Sequence, residues 1–296
     1  MVNKPVIVFD TSALNSLAYD SDSAALIPGL TSGFTVCLTG TSVDEIAAWR
    51  CGIDQRKMLL NLCKRLLSSG LCMLSHDALL RTLTTHFSET KKLNWRSVSA
   101  RFADYEQEIA RQENMTDELA EKQKNYMRRR QKEFAKLFDD DRPAFDRLYS
   151  RETPTRPRTF PEFVSRLGIE GGAFWGIGAS FCEQVTGYRP DEQAIRKFID
   201  KCPPFRAWLL AICFAQYDRC IRDPNSGPSL RAGKFDLYMS VYLPYCDQFI
   251  TAEKRGRQLR ALQEVASAAN LGVRVRSYGD FKNGLLGIPA VVVSRQ

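Results

Sequence analysis

The sequence predicts an α/β protein with a central, mostly parallel sheet in a three-layer α/β/α arrangement, interrupted by a helical insertion. Short apolar runs typical of buried parallel strands occur only near the two ends of the chain, at 6–9, 34–38, 71–74, 248–251, 273–275 and 290–293. The middle of the chain has helical spacing of apolar residues and no strand pattern. We therefore expect residues 1–75 and 230–296 to form one discontinuous domain. Residues 76–229 form the insertion, part of which can pack on the sheet.

The first three strands alternate with predicted helices. A helix is expected from Ala13 to Leu30, ending in a loop at the Pro28-Gly29 pair. Ser42 and Glu45 have capping-box spacing, so the next helix should begin there. A third helix, from Asp54 to Leu67, has apolar residues at helical spacing.

Further helices are predicted in the insertion and on either side of the fourth predicted strand. In the insertion we expect them near 77–88, 94–114, 116–138, 161–167, 172–185, 191–201 and 205–221. The last of these is apolar on nearly all sides, which is typical of a buried helix. Two further helices are expected at 234–242, opening at Asp236, and at 254–270, on either side of the strand 248–251.

Composition indicates a globular protein with a basic balance. The 296 residues are 44% hydrophobic and 26% charged, with a formal net charge of +8, which favours a polyanionic partner such as nucleic acid. Nine cysteines without a Cys-x-x-Cys pair are typical of free thiols in a reducing compartment, so we expect a cytoplasmic protein. The longest apolar stretch, 205–214, is too short to cross a membrane, and the start of the chain lacks a signal-peptide pattern.

Four acids occupy comparable places in the predicted fold. Asp10 ends the first strand and Glu253 follows the strand 248–251, while Glu45 and Asp236 lie at predicted helix starts. Each has a structural alternative, since acids are common helix caps and are favourable near the positive ends of helices. All four nevertheless lie where a parallel sheet gathers its ligand site, at the carboxyl ends of the strands.

Such a group of carboxylates predicts a bound cation. Like charges repel when they cluster, and a cation among them relieves that repulsion. Oxygen ligands without histidine or cysteine favour Mg²⁺ or Mn²⁺, which support phosphoryl chemistry by activating a water and neutralising developing charge. The densest basic cluster, 126–132, is either a nucleic-acid contact or a solvated helix face.

The sequence resembles the PIN-domain family in three places. Asp10 to Leu14 after an apolar strand resembles the opening of that family, and Val43 to Ile46 resembles its second acidic position. Asp236, together with Phe249 to Glu253, resembles its closing pattern. The last acid is Glu253 where the family usually has Asp, so Asp247 is an alternative fourth acid. The resemblance covers residues 4–50 and 230–296 and does not extend to the insertion.

The resemblance implies a metal-dependent nuclease, most often acting on RNA, that leaves a 5′-phosphate and a 3′-hydroxyl. Its metal-binding and catalytic residues would be Asp10, Glu45, Asp236 and Glu253. Expected nucleic-acid contacts are Ser12, Lys254, Arg255 and Arg257. The resemblance also implies candidate partners. A homo-oligomer is one, because homodimers are common among small PIN domains, and an inhibitory protein is another, because the family includes toxins of toxin–antitoxin pairs.

Two other interpretations compete with that of a nuclease. A phosphatase of the haloacid dehalogenase type needs a second Asp two residues after the first, and Ser12 stands there. A PIN-like module that binds RNA or protein without cutting remains an alternative, which the presence of all four acids disfavours.

Overall fold

A five-stranded parallel sheet organises the chain. The computed structural model describes residues 4–48, 53–67, 70–90, 94–97, 102–151, 156–167, 172–223, 225, 229–253 and 256–287. The strands are β1 (Val6–Phe9), β2 (Thr35–Thr39), β3 (Leu71–Met73), β4 (Gln248–Thr251) and β5 (Arg274–Ser277). Their order is β3-β2-β1-β4-β5, and every neighbouring pair is parallel. The prediction of a parallel sheet built from both ends of the chain is confirmed, and the strand expected at 290–293 lies outside the described residues.

Strand β1 lies at the centre of the sheet and is buried on both faces. Ile7 and Phe9 belong to one hydrophobic core and Val8 to the other, and all three are 0% exposed. This alternation follows from the two-residue repeat of a strand. The continuous apolar run of the sequence is therefore explained by helices packed on both faces of the sheet.

The core around Ile7 and Phe9 is covered by helices from both ends of the chain. These are α1 (Thr11–Tyr19), α2 (Ser23–Gly33), α3 (Gly40–Ala47) and α4 (Ile53–Leu67), with α6 (Phe102–Glu113) and α15 (Tyr278–Leu285) adding to the same core. Phe281 of α15 packs edge-on against Phe9, with ring centroids 5.6 Å apart. The first and last parts of the chain are thus joined in one core.

The core on the Val8 side is formed mainly by helices of the central region. They are α5 (His76–Thr90), α7 (Asp117–Asp139), α9 (Phe160–Leu167), α10 (Gly172–Thr186), α11 (Glu192–Lys201), α12 (Pro203–Gln216) and the later α13 (Lys234–Tyr238) and α14 (Arg257–Ala268). Helix α8 (Arg142–Arg151) follows α7. No strand occurs in the described part of 76–229, and α12 is buried on nearly all sides, as predicted.

Several predicted boundaries were wrong. The single helix expected from Ala13 to Leu30 is two helices, separated by a turn in which the Asp20 carboxylate accepts a hydrogen bond from the Asp22 backbone N–H (2.9 Å). Pro28-Gly29 lies inside α2 and not in a loop, because burial of Leu26, Ile27 and Leu30 against the sheet outweighs the hydrogen bond that proline cannot donate.

Three later helices also differ in their limits. The helix expected at 94–114 begins at Phe102, after a separate 3₁₀ turn at Trp95–Ser97. The helix expected at 234–242 changes to 3₁₀ geometry from Met239 to Tyr245, a segment that contains Pro244. The helix expected from 254 begins at Arg257. Among the described residues, no helix combines the length and apolar character needed to cross a bilayer.

Candidate active site

All four predicted acids line one cavity of about 350 Å³ at the carboxyl ends of the strands. Asp10 follows β1 and Glu253 follows β4, its parallel neighbour in the sheet. Glu45 comes from α3 and Asp236 from α13. The remaining lining residues are Thr11, Ser12, Ala48, Lys124, Met127, Arg128, Phe235, Met239 and Gln258. The expected gathering of these acids is therefore present in the fold.

Asp10 is both a helix cap and a member of this cavity. Its Oδ1 accepts hydrogen bonds from the Ala13 backbone N–H (2.7 Å) and the Ser12 hydroxyl (2.8 Å). The Ser12 Oγ in turn accepts the Ala252 backbone N–H (2.8 Å), which joins the end of β4 to the end of β1. The side chain of Asp10 is 4% exposed. Burial raises the pKa of Asp10 to about 6, against the lowering effect of these hydrogen bonds and with a smaller raising effect of Asp236.

Glu45 is available to the cavity because another residue caps its helix. The predicted capping box was wrong: Thr39 is the N-cap of α3, and its Oγ1 accepts the Ser42 backbone N–H (3.1 Å). Glu45 lies a turn further along, where its Oε2 accepts a hydrogen bond from the Thr11 hydroxyl. Burial raises the pKa of Glu45 to about 8, and the charges of Asp236 and Asp10 add to the effect.

Asp236 is fixed by the start of its own helix. Its Oδ2 accepts the Gly233 backbone N–H (3.0 Å) in a capping-box arrangement. Burial raises the pKa of Asp236, and the charge of Glu253 raises it further. The loop before Gly233 is held by the buried Asp218, which accepts the backbone N–H groups of Leu230 (2.9 Å) and Arg231 (2.6 Å).

Glu253, and not Asp247, is the acid that reaches the cavity from β4. The Oε2 of Glu253 accepts the Arg257 backbone N–H (2.6 Å), which orients the carboxylate at the start of α14. Asp247 lies before β4, where its Oδ2 accepts the Val6 backbone N–H (2.7 Å). Since Val6 begins β1, Asp247 lies at the amino ends of the strands, whereas Asp10 lies at their carboxyl ends.

Helix α7 forms a wall of the cavity, a role that sequence reasoning missed. The Gln123 side chain donates to the Asp44 carbonyl (3.1 Å), next to Glu45. The Gln131 Oε1 accepts the Lys234 backbone N–H (2.9 Å), two residues before Asp236. A Cβ atom at Gly233 would collide with the Gln131 amide, so glycine permits this close approach. Two glutamines thus attach α7 to the two helices that carry acids.

This attachment brings positive charge to the acids. Between the two glutamines, Lys124 and Arg128 line the same cavity as the four carboxylates. Arg128 belongs to the basic cluster 126–132 that the sequence singled out, whereas Lys124 lies just before it. The sequence indicated this surface through the density of positive charge in the cluster 126–132. Only the docking of α7 shows which of these basic residues face the acidic cavity.

The four predicted nucleic-acid contacts have different outcomes. Ser12 lines the cavity, with its hydroxyl engaged by Asp10 and Ala252. Lys254 and Arg255 lie outside the described residues. Arg257 supplies its backbone N–H to Glu253, and its side chain is not among the lining groups. Contact of these side chains with nucleic acid stays a prediction.

The donor chemistry of the cavity fits Mg²⁺ or Mn²⁺. Within the described ranges, no three carboxylate, imidazole or thiol groups are close enough together to hold an ion as they stand. The four carboxylates nevertheless surround one cavity, and the Oε1 of Glu45, the Oδ1 of Asp236 and the Oε1 of Glu253 have no hydrogen bond from the described residues. A divalent cation stabilises the ionised form of hard oxygen donors such as Asp10, Glu45 and Asp236, whose pKa values are raised by burial.

Comparison with protein-family models, with curated proteins and with solved structures found no match to this chain.

Proposed function

We propose that this chain is a metal-dependent endonuclease, with RNA as the expected substrate, and that Asp10, Glu45, Asp236 and Glu253 form its metal-binding catalytic centre. One observation supports this most strongly. Four acids from separate parts of the sequence line one cavity, and Lys124 and Arg128 line it with them. A purely structural role as caps would explain Asp10 and Asp236 but not Glu45, and it gives no reason for the four acids to share a cavity with cations.

The chemistry assigns distinct tasks to these residues. The carboxylates would hold Mg²⁺ or Mn²⁺, which supplies an activated water and neutralises charge on the reacting phosphate. Lys124 and Arg128 would contact phosphate oxygens, because their cationic groups are matched to an anionic backbone. Thr11 and Ser12 orient Glu45 and Asp10 through hydrogen bonds. The chain thus provides both the cation site and a positive wall for the substrate.

The resemblance of the strand-end motifs to PIN domains supports the same proposal, including the expected 5′-phosphate and 3′-hydroxyl products. Residues 76–229 would then be an insertion into a PIN-like domain, and α7 from this insertion would complete the site.

A catalytically silent module that binds RNA or protein is the second candidate. The observation that favours it is the lack, among the described residues, of three acids at direct ligand distance from one point. In that case the raised pKa of Glu45, about 8, would leave this acid protonated in an inactive cavity.

Cleavage of end-labelled RNA separates the two functions. Wild-type protein and Asp10→Asn are incubated with single-stranded RNA and with DNA of the same sequence, in Mn²⁺, Mg²⁺ or EDTA. The nuclease proposal expects cutting that needs both metal and Asp10, with RNA preferred. Equal binding by both proteins without cutting in any metal would favour the silent module.

A further inference from the structure

Four cations of α7 form a continuous line that leaves the acidic cavity. Lys124, Arg128, Lys132 and Lys136 recur every four residues, and we call them the α7 stripe. A rise of about 1.5 Å per residue separates successive members by about 6 Å along the axis and gives the stripe a length of about 18 Å. Since four residues exceed one full turn, the stripe winds from the cavity toward the outer face of the helix.

The cavity and the outer face are connected through Arg128. This residue lines the acidic cavity and also a second, shallower cavity of about 440 Å³. The residues around the second cavity are Asn125, Arg128, Arg129, Lys132, Glu133 and Lys136. A chain-like ligand lying in the acidic cavity can therefore continue along α7 without crossing a barrier of apolar groups.

Two members of the α7 stripe, Lys132 and Lys136, differ from the neighbouring arginines in their ion pairs, and they also differ from Lys124, which pairs with Glu121. Glu133 pairs with Arg129 (3.8 Å) and with Arg130 (3.2 Å), which offsets part of the basic cluster. The ion pairs found within the described part of the chain include neither Lys132 nor Lys136, and both side chains are exposed. These two lysines are available to an external anion.

The stripe is held rigidly relative to the acids. Gln123 and Gln131 bond α7 to the backbone beside Glu45 and Asp236, and Phe134 and Phe138 bury its inner face in the core. A rigid helix face keeps the spacing of its cations constant, which lowers the entropy lost when a ligand binds.

We propose that the α7 stripe binds the sugar–phosphate backbone of a single nucleic-acid strand that extends from the acidic cavity. This inference rests on the proposed function and identifies the outer binding surface of the same site. A single line of cations matches one backbone, and single-strand binders combine such a charged track with tolerance of base sequence. Each lysine contact should add to the salt dependence of binding through counterion release.

The test measures binding without cutting. Fluorescence anisotropy follows a labelled oligouridine about 16 nucleotides long, within the range of single-strand site sizes. All proteins carry Asp10→Asn. Lys132→Gln/Lys136→Gln is compared with Lys122→Gln/Lys201→Gln, which removes the same charge. Lys122 lies on the opposite face of α7 from Lys124 and pairs with Glu118 (2.7 Å), and Lys201 is exposed on α11.

The slope of log affinity against log salt is negative, and in the stripe variant its magnitude should fall by about 1.4, because each lost phosphate contact removes about 0.7. This corresponds to roughly 10- to 30-fold weaker binding near 0.1 M salt, whereas the control pair should keep the parent slope. Equal losses in both pairs, or no measurable binding by the parent, would overturn the proposal.

A second readout separates this inference from the proposed function. With Asp10 restored and metal present, the stripe variant should raise KM and leave kcat unchanged. If the protein does not cut but the slope falls as stated, the nuclease proposal fails and the binding surface stands. If the protein cuts and the slope is unaffected, the stripe inference fails alone.

Discussion

Replacing Asp10 with asparagine should stabilise the protein in the absence of metal. The folded environment raises the pKa of this buried carboxyl from 3.8 to about 6, so its ionised form is less favourable in the fold than in the unfolded chain. Asn has the same shape, and its side-chain oxygen can still accept the Ala13 backbone N–H that caps α1. The substitution therefore removes a buried charge while keeping the cap.

The size of the effect follows from linkage. A shift of about two units corresponds to about 3 kcal/mol at 1.36 kcal/mol per unit, as an upper limit. Since the folded state holds the proton of Asp10 more tightly, the contribution of Asp10 to stability falls as pH rises from about 4 to about 6 and is constant above that range. Asp10→Asn should therefore unfold with a free energy about 1–3 kcal/mol higher at pH 8, and the difference should vanish below pH 4.

Urea unfolding in EDTA at several pH values measures this difference. Asp191→Asn is the matched control, because Asp191 is an exposed N-cap of α11 that accepts the Ala194 backbone N–H (2.8 Å). The control should change stability by only a few tenths of a kcal/mol at any pH. If Asp10→Asn destabilised the protein at pH 8, Asp10 would act as a cap only, and burial of its charged form would not be unfavourable in the fold.

Three further predictions concern metal, the fourth acid and the loop before Asp236. Mg²⁺ or Mn²⁺ should raise the Tm of the wild type in calorimetry. The rise should be larger at pH 8 than at pH 6, because the acids must lose protons to bind the metal. The same measurement should find no rise in Asp10→Asn. Glu253→Gln should slow RNA cleavage at least 10- to 100-fold. Asp247→Ala should lower the free energy of unfolding in urea by about 1 kcal/mol and leave the cleavage rate unchanged. The reverse pattern would contradict the assignment of Glu253 as the fourth acid. Asp218→Ala should lower the free energy of unfolding by roughly 2–6 kcal/mol, because it leaves two backbone N–H groups unpaired. It should also slow cleavage, because it releases the loop that leads to Asp236. Both are measured on the same preparation, and an unchanged free energy of unfolding or an unchanged cleavage rate would contradict the prediction.

The strand ends were predictable because they depend on short-range patterns. A continuous apolar run, such as Val6–Phe9, is the pattern of a strand buried on both faces. An acid directly after such a run must lie at the carboxyl end of a strand in a parallel sheet. The position of Asp10 therefore followed from the sequence alone, whereas the choice of Glu253 over Asp247 required the structure. Asp236 required only the recognition of a helix start near 234.

The features that sequence missed depend on contacts between distant residues. Whether Thr39 or Ser42 caps α3 is decided by where β2 ends, which the apolar pattern sets only to within a few residues. Pro28 is tolerated in α2 because the sheet buries the adjacent face. The docking of α7 combines burial of Phe134 and Phe138 with two glutamine hydrogen bonds that span 79 and 103 residues, and no local pattern encodes these distant contacts.

The chemical identity of the cleavage products tests the central claim most directly. An RNA labelled at either end is incubated with the wild type in Mn²⁺, and the new ends are analysed with phosphatase and ligase. Attack by water activated at the four acids predicts a 5′-phosphate and a 3′-hydroxyl, and complete loss of cutting in EDTA. A 2′,3′-cyclic phosphate with a 5′-hydroxyl, or cutting that persists in EDTA, would contradict the account.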